Sequence, residues 1–196
     1  MKKVFCIDAS TKEVGYSIWN KETFEMIELN HWTVPDRDDL LDKMLEFEKW
    51  LLTDILVRYP EVDEMVIEES FSAMFGGKSS AKTTTILNQA NFGYRLICHK
   101  LGLKTNTITV TESRKYAFPT AVMKKGAAAN GMKQKEQMFV YVLAELGESY
   151  FPTKVLSRGP RKGETVFEDY TQDISDGYVI GKGFVNKFYK KIKRVR

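Results

Sequence analysis

A chain of 196 residues, 43% hydrophobic and 29% charged, has the composition of a folded domain and can bury one good core. Its only cysteines, Cys6 and Cys98, form no CxxC and have only His31 and His99 beside them, which points to a reduced cytosolic setting and away from zinc. The net charge of +4 is unevenly spread: positions 36 to 69 carry 12 acids against 4 bases, positions 70 to 135 carry 11 bases and one acid, Glu112, and positions 177 to 196 carry seven bases and no acid. So long an acid-poor run predicts a polyanionic partner, DNA or RNA. The opening MKKVFCIDAS is too short in apolar residues for a signal peptide, no stretch is long enough to span a membrane, and no repeat emerges.

Taken in chain order, KKVFCIDAS predicts a buried strand running into Asp8, VGYSIWN a second strand, and FEMIELNHW a third. The short polar link at Lys21-Glu22 predicts antiparallel neighbours. A long amphipathic helix is expected from about Asp38 to Arg58, with Leu41, Met44, Leu45, Leu51, Leu52 and Ile55 as its apolar stripe and Tyr59-Pro60 as its stop. EMVIEESF predicts a strand ending in acids. A second helix, capped by Ser79 or Ser80, carries Leu87, Ala90, Tyr94, Ile97 and Leu101 at helical spacing. KTNTITV predicts a strand, TESRKYAF a short helix, and Lys133 to Leu146 a further helix stopped by Gly147. Pro152 to Thr171, with Gly159, Pro160 and Gly163, reads as a long polar loop, and a last helix starting near Asp173 fades into a basic tail at about 187–196. The expected architecture is α/β: three antiparallel strands, then strands alternating with helices, a mixed sheet covered by helices in one domain over 1–196.

The last helix opens with two acids, Asp173 and Asp176, in YTQDISDGYVIG. An acid at a helix start accepts a backbone N–H and suits the helix dipole, so the pair alone reads first as a cap. Other acids shift the balance. Asp8 ends one apolar run, and Glu68 with its neighbour Glu69 ends another, where a bare carboxylate is costly unless it is hydrogen-bonded or bound to a cation. On neighbouring strands Asp8 and Glu68 would sit side by side. Asp173 and Asp176, three residues apart, share a helix face that can be brought over them. Carboxylate oxygens are the ligands hard cations such as Mg²⁺ prefer, and such ions activate water for phosphoryl displacement.

In that order, FCIDAS…VGYSIW, MVIEESF, LNQANFG, TESRKYAF, MKQKEQM and DISDGYVIG resemble the RuvC family of Holliday-junction resolvases. The resemblance spans most of the chain, patchily between motifs, and implies a ribonuclease-H-like fold. It implies a catalytic, metal-binding set of Asp8, Glu68, Asp173 and Asp176, two Mg²⁺ or Mn²⁺ ions, and Lys135 steadying the phosphate. Phe71 matches the residue that meets bases near the crossover, and Arg114 and Lys135 match residues that hold backbone phosphate. With Lys78, Lys115 and Lys133 these form the expected DNA-binding set. The implied activity is endonucleolytic resolution of branched DNA by a homodimer in bacterial or phage-infected cytoplasm. The chain departs from the family where Ala9-Ser10 replace the usual Pro-Gly after the first aspartate, in the 152–172 stretch and in the tail, as a divergent, phage-type member would.

Rival readings stay open at the level of sequence. FGGKSSAKTTT mimics a P-loop, but Ser72 stands where the first glycine belongs; Gly76, Gly77 and Lys78 instead suit a basic loop touching DNA backbone. Phe71 and Phe75 suit unstacked bases or plain loop anchoring. A flap or RNA–DNA-hybrid nuclease would use the same metal chemistry, and a non-catalytic branched-DNA binder would keep the basic face.

Overall fold

The computed structural model describes residues 1–69, 81–124, 129 and 131–191. Strands β1 (Lys3–Ile7), β2 (Glu13–Asn20), β3 (Met26–Thr33), β4 (Val62–Glu68) and β5 (Lys104–Ile108) form one sheet in the order β3-β2-β1-β4-β5. The first three are antiparallel neighbours, whereas β1–β4 and β4–β5 are parallel. That is the mixed sheet expected from the sequence, with the parallel strands joined through helices as parallel pairs require.

The period-two alternation of β1 and β4 sorts their side chains onto two faces. Phe5, Ile7, Met65 and Ile67 belong to one core, covered by α1 (Leu40–Trp50, prolonged through a π turn to Arg58) and α2 (Ala81–Lys100). Val4, Cys6 and Val66 belong to the other, beneath α3 (Val110–Ala117), α4 (Gln134–Leu146) and α5 (Thr171–Phe184, prolonged through a π turn at Val185–Tyr189). The same alternation carries Asp8 and Glu68 to the second face. Cys6 pairs with Val66 and Ile7 with Ile67, so one step further Asp8 stands opposite Glu68.

Three expectations need correction. The α1 stripe that enters the core is Met44, Phe47, Leu51 and Ile55, while Leu41, Leu45 and Leu52 lie exposed on the flank. The stretch from Pro152 is no open loop: β6 (Thr153–Val155) and β7 (Thr165–Phe167) pair antiparallel into a hairpin. Helix α5 starts at Thr171, and Tyr170 takes the cap position without a side-chain hydrogen bond, so Asp173 lies in the first turn and is not the cap.

At the far end of the sheet Glu64, 2% exposed, is buried against Lys21 (2.6 Å), Lys104 (3.5 Å), Asn106 and Tyr189. A buried carboxylate is tolerated only with such partners, and here they fasten the end of the last helix to the sheet. Cys6 and Cys98 are buried, unpaired and in different cores. Among the described residues no helix is long and apolar enough to cross a membrane.

Candidate metal centre

The site begins where β1 runs out. The Asp8 N–H donates to the Gly15 carbonyl at 2.9 Å, and the Ser10 hydroxyl accepts from the Lys12 and Glu13 N–H groups, closing the turn into β2. Tyr94 of α2 donates to the Ser10 carbonyl at 2.6 Å, and Asn91 one turn earlier donates to the Glu68 carbonyl at 2.7 Å. One helix thus fixes both strand ends from the opposite face of the sheet.

Helix α5 brings the other acids. Its start is held by the Tyr170 ring stacked on His31 of β3, centroids 3.8 Å apart and planes 16° from parallel. Two of its glycines, Gly177 and Gly181, lie against β2: a side chain at Gly177 would come within 2.6 Å of the Tyr16 nitrogen and 2.7 Å of the Gly15 carbonyl carbon. Ser17 donates to the Gly177 carbonyl at 2.7 Å and accepts from the Trp19 indole N–H at 2.8 Å. At this separation one carboxylate oxygen each from Asp8, Asp173 and Asp176 lie within 4.8 Å of one another. Glu68 stands beside this trio without joining it at that spacing.

Lys135, in the first turn of α4, reaches Asp176 Oδ2 at 2.6 Å and Asp173 Oδ1 at 3.2 Å. Burial pushes the Asp8 carboxyl well above the usual carboxylate range, and Asp176, Glu68 and Asp173 push the same way against Lys135. Burial and then Asp176 raise Glu68 to about 7, with Arg114 and Lys135 opposing. Asp176 is raised by burial despite Lys135 and Arg114. Burial disfavours the Lys135 ammonium, but Asp176, Asp8 and Asp173 outweigh it and hold its pKa above the ordinary range. Four acids therefore face one lysine and a nearby arginine in a poorly hydrated corner. An all-oxygen donor set with surplus negative charge fits a hard divalent cation.

Of the expected DNA-binding residues, Arg114 on α3 turns to the site and to Gln134 (3.3 Å), and Lys135 binds the aspartates. Lys115 is exposed a helical step round from Arg114, and Lys133 is exposed at the α4 cap, where its N–H donates to Glu136 at 2.6 Å. Phe71 and Lys78, like Phe75, Gly76, Gly77 and the proposed cap Ser79 or Ser80, lie outside the described residues. Sequence reasoning gave no part in the site to Gly15, Ser17, Gly177 or Asn91, and took Tyr94 only as a member of the apolar stripe. The i,i+4 glycines Gly177 and Gly181 were the readable sign that this helix packs closely on a neighbouring element.

The same fold occurs in RuvC from Thermus thermophilus in complex with a Holliday junction substrate, with a TM-score of 0.59 at 13% identity over 97% of this chain and 96% of that one. The chain has the RuvC-type, ribonuclease-H-like fold. A second Thermus thermophilus RuvC structure gives 0.55 at 14% identity, covering 96% and 95% of the two chains. A yeast mitochondrial Holliday junction resolvase gives 0.54 at 11% identity, over 94% of this chain and 78% of that one. No family model and no curated protein matches the sequence. In the RuvC-type fold described here, the carboxylates occupy the ends of the two central parallel strands and the start of the helix laid over them.

Proposed function

We propose that this chain is a single-domain, metal-dependent endonuclease that hydrolyses phosphodiesters in branched DNA, four-way junctions above all. The observation that carries this reading is the convergence of Asp8, Asp173 and Asp176, with Glu68 beside them, at one corner of a RuvC-type fold. Asp8 and Glu68 would hold one Mg²⁺ or Mn²⁺ ion, and Asp8 with Asp173 and Asp176 the other. Bound there, a divalent cation lowers the pKa of water and offsets charge on the phosphate. The chain's own part is to fix the carboxylates on two strands and one helix, so that little reorganisation is needed when the phosphate enters. Lys135 is placed to shift from the aspartates toward the phosphate oxygens, and Arg114 adds positive charge on the same side. The water oxygen bonds to phosphorus as the bond to the leaving oxygen breaks, giving a phosphate monoester and a hydroxyl end.

The test is cleavage of labelled four-way junction, flap, RNA–DNA hybrid and linear duplex with Mg²⁺, with Mn²⁺ and with chelator. Expected are paired, symmetric nicks in the four-way substrate, only with metal. Preferred cutting of flaps or hybrids would move the substrate class, and binding without cutting under every metal condition would sink the nuclease reading.

A two-fold partner would place two such sites on the symmetric strands of a junction. Support for it comes from the flank of α1 and α2, where Leu41, Leu45, Leu52, Phe92 and Leu96 are between 44% and 71% exposed. Wild type is expected to sediment as a dimer at micromolar concentration, and Leu45→Glu with Leu96→Glu as a monomer. A monomeric wild type would remove the symmetric arrangement.

A further inference from the structure

Among the described residues the β6–β7 hairpin pairs with no strand of the main sheet, and we infer that its tip grips the phosphate backbone of a DNA arm beside the metal centre. This rests on the nuclease reading above and adds a contact that the acids and Lys135 do not provide.

Strands of three residues on their own are marginal in water, so the hairpin needs a seat. Phe151 and Phe167 supply it, packing edge-on against Phe139 of α4 with ring centroids 5.2 and 5.4 Å away. Phe139 lies one helical turn beyond Lys135, and Phe167 is followed within four residues by the start of α5. The hairpin is thus rooted on the two helices that build the site. Its position relative to the carboxylates is fixed by packing.

The tip is shaped as well as seated. Leu156 N–H donates to the Glu164 carbonyl (3.0 Å) and Gly163 N–H to the Leu156 carbonyl (2.8 Å). Lys162 N–H donates to Gly159 and Glu164 N–H to Arg161, each at 3.1 Å. Gly159 and Gly163 take φ of +84° and +90°, which the two turns require. The seven residues SRGPRKG that these bonds enclose hold Arg158, Arg161 and Lys162, no acid, and no side chain in either core. Arg158 and Lys162 stand exposed on a short ordered loop beside Arg161, like charges whose crowding a polyanion would relieve. Arg161 is held back by Glu164, Nε to Oε2 2.6 Å. That pair predicts an effect of opposite sign when the acid is removed.

The decisive measurement is binding of labelled four-way junction in chelator across a salt series. It uses wild type, the triple variant Arg158→Ser/Arg161→Ser/Lys162→Ser, Glu164→Gln, and the remote control Lys2→Ser at the far end of the sheet. All should keep the wild-type circular dichroism and melting midpoint, because the altered side chains are exposed. The triple variant is expected to bind about 10- to 100-fold more weakly, with the slope of log K against log salt reduced by about 2 to 3. Glu164→Gln should bind several-fold more tightly, and the control should match wild type. Unchanged affinity and slope in the triple variant, weaker binding by Glu164→Gln, or an equal loss in the control would overturn the hairpin contact while leaving the nuclease intact. A wild type that neither binds nor cuts branched DNA would instead end the nuclease reading and this inference with it.

Discussion

Asp8→Asn is expected to abolish cleavage and, in the same protein, to raise the melting midpoint of the metal-free state. The two effects have one cause. The Asp8 carboxyl is pushed up by burial and by Asp176, Glu68 and Asp173, with Lys135 opposing. A carboxyl whose folded-state pKa lies above its unfolded value favours folding at low pH, and that contribution is lost as pH rises through the folded value. For Glu68, raised from 4.5 to about 7, the loss across that window amounts to about 3 kcal/mol. Asparagine at position 8 removes one charge from the group and relieves Glu68 as well. The variant's advantage should be small near pH 5 and grow to ~1–2 kcal/mol by pH 8, a midpoint about 3–6 °C higher. Divalent metal should reverse the order, because wild type gains a ligand that the variant binds poorly. Cleavage should fall by about 10³-fold or more, since the variant loses the carboxylate shared between the proposed ions. Scanning calorimetry from pH 5 to 8, in chelator and in Mn²⁺, reads both arms. A variant less stable than wild type at pH 8 in chelator, or a wild type indifferent to metal, would break the link between these acids and a cation.

How legible this corner was depended on which signals are local. Phe5, Ile7, Met65 and Ile67 alternate with Val4, Cys6 and Val66, so the strands and the side taken by Asp8 and Glu68 follow from period-two patterning and a parallel register. The convergence of Asp173 on Asp8 was less readable, because it depends on how closely one backbone approaches another. Asp173 looked like a cap because acids favour that position. Tyr170 takes it because its ring is stacked on His31, a contact made across 139 residues of sequence. The α1 stripe was read too broadly for a similar reason: Leu41, Leu45 and Leu52 sit on the edge of the apolar face, and helical spacing alone does not say where the core stops. The hairpin was hidden because Gly159, Pro160 and Gly163 dominate the stretch while each strand is only three residues long. What anchors it is the meeting of Phe139, Phe151 and Phe167, which no local pattern announces.

The close approach of α5 to β2 yields the other large expected effect. Gly15→Ala should be among the most damaging single substitutions in the chain, although it adds one methyl group. A Cβ there would land on the Asp173 carbonyl, which is backbone and can give way only if the whole helix start moves. Gly177→Ala meets the same barrier from the helix side, at 2.6 Å from the Tyr16 nitrogen, below any ordinary van der Waals contact. The helix must then lift or slide, taking Asp173 and Asp176 away from Asp8 and stretching the bond from Ser17 to the Gly177 carbonyl. Overpacking of a well-packed contact costs about 1–3 kcal/mol and more where backbone meets backbone, so a midpoint lower by ~5–10 °C is expected for either variant. Displacement of the carboxylates by even 1 Å should cost cleavage about 10²-fold and remove most of the metal-induced rise in midpoint. Two comparisons separate this from general destabilisation. Gly102→Ala, at φ +80° with open space around its Cβ, should lose about 1 kcal/mol of stability and keep its cleavage rate. Ser17→Ala should lose about 1 kcal/mol through its hydrogen bonds to Gly177 and Trp19, with the aspartates left in place. If Gly15→Ala were to cut and respond to metal as wild type does, the helix would not be seated by these glycines, and the convergence of the three aspartates would need another cause.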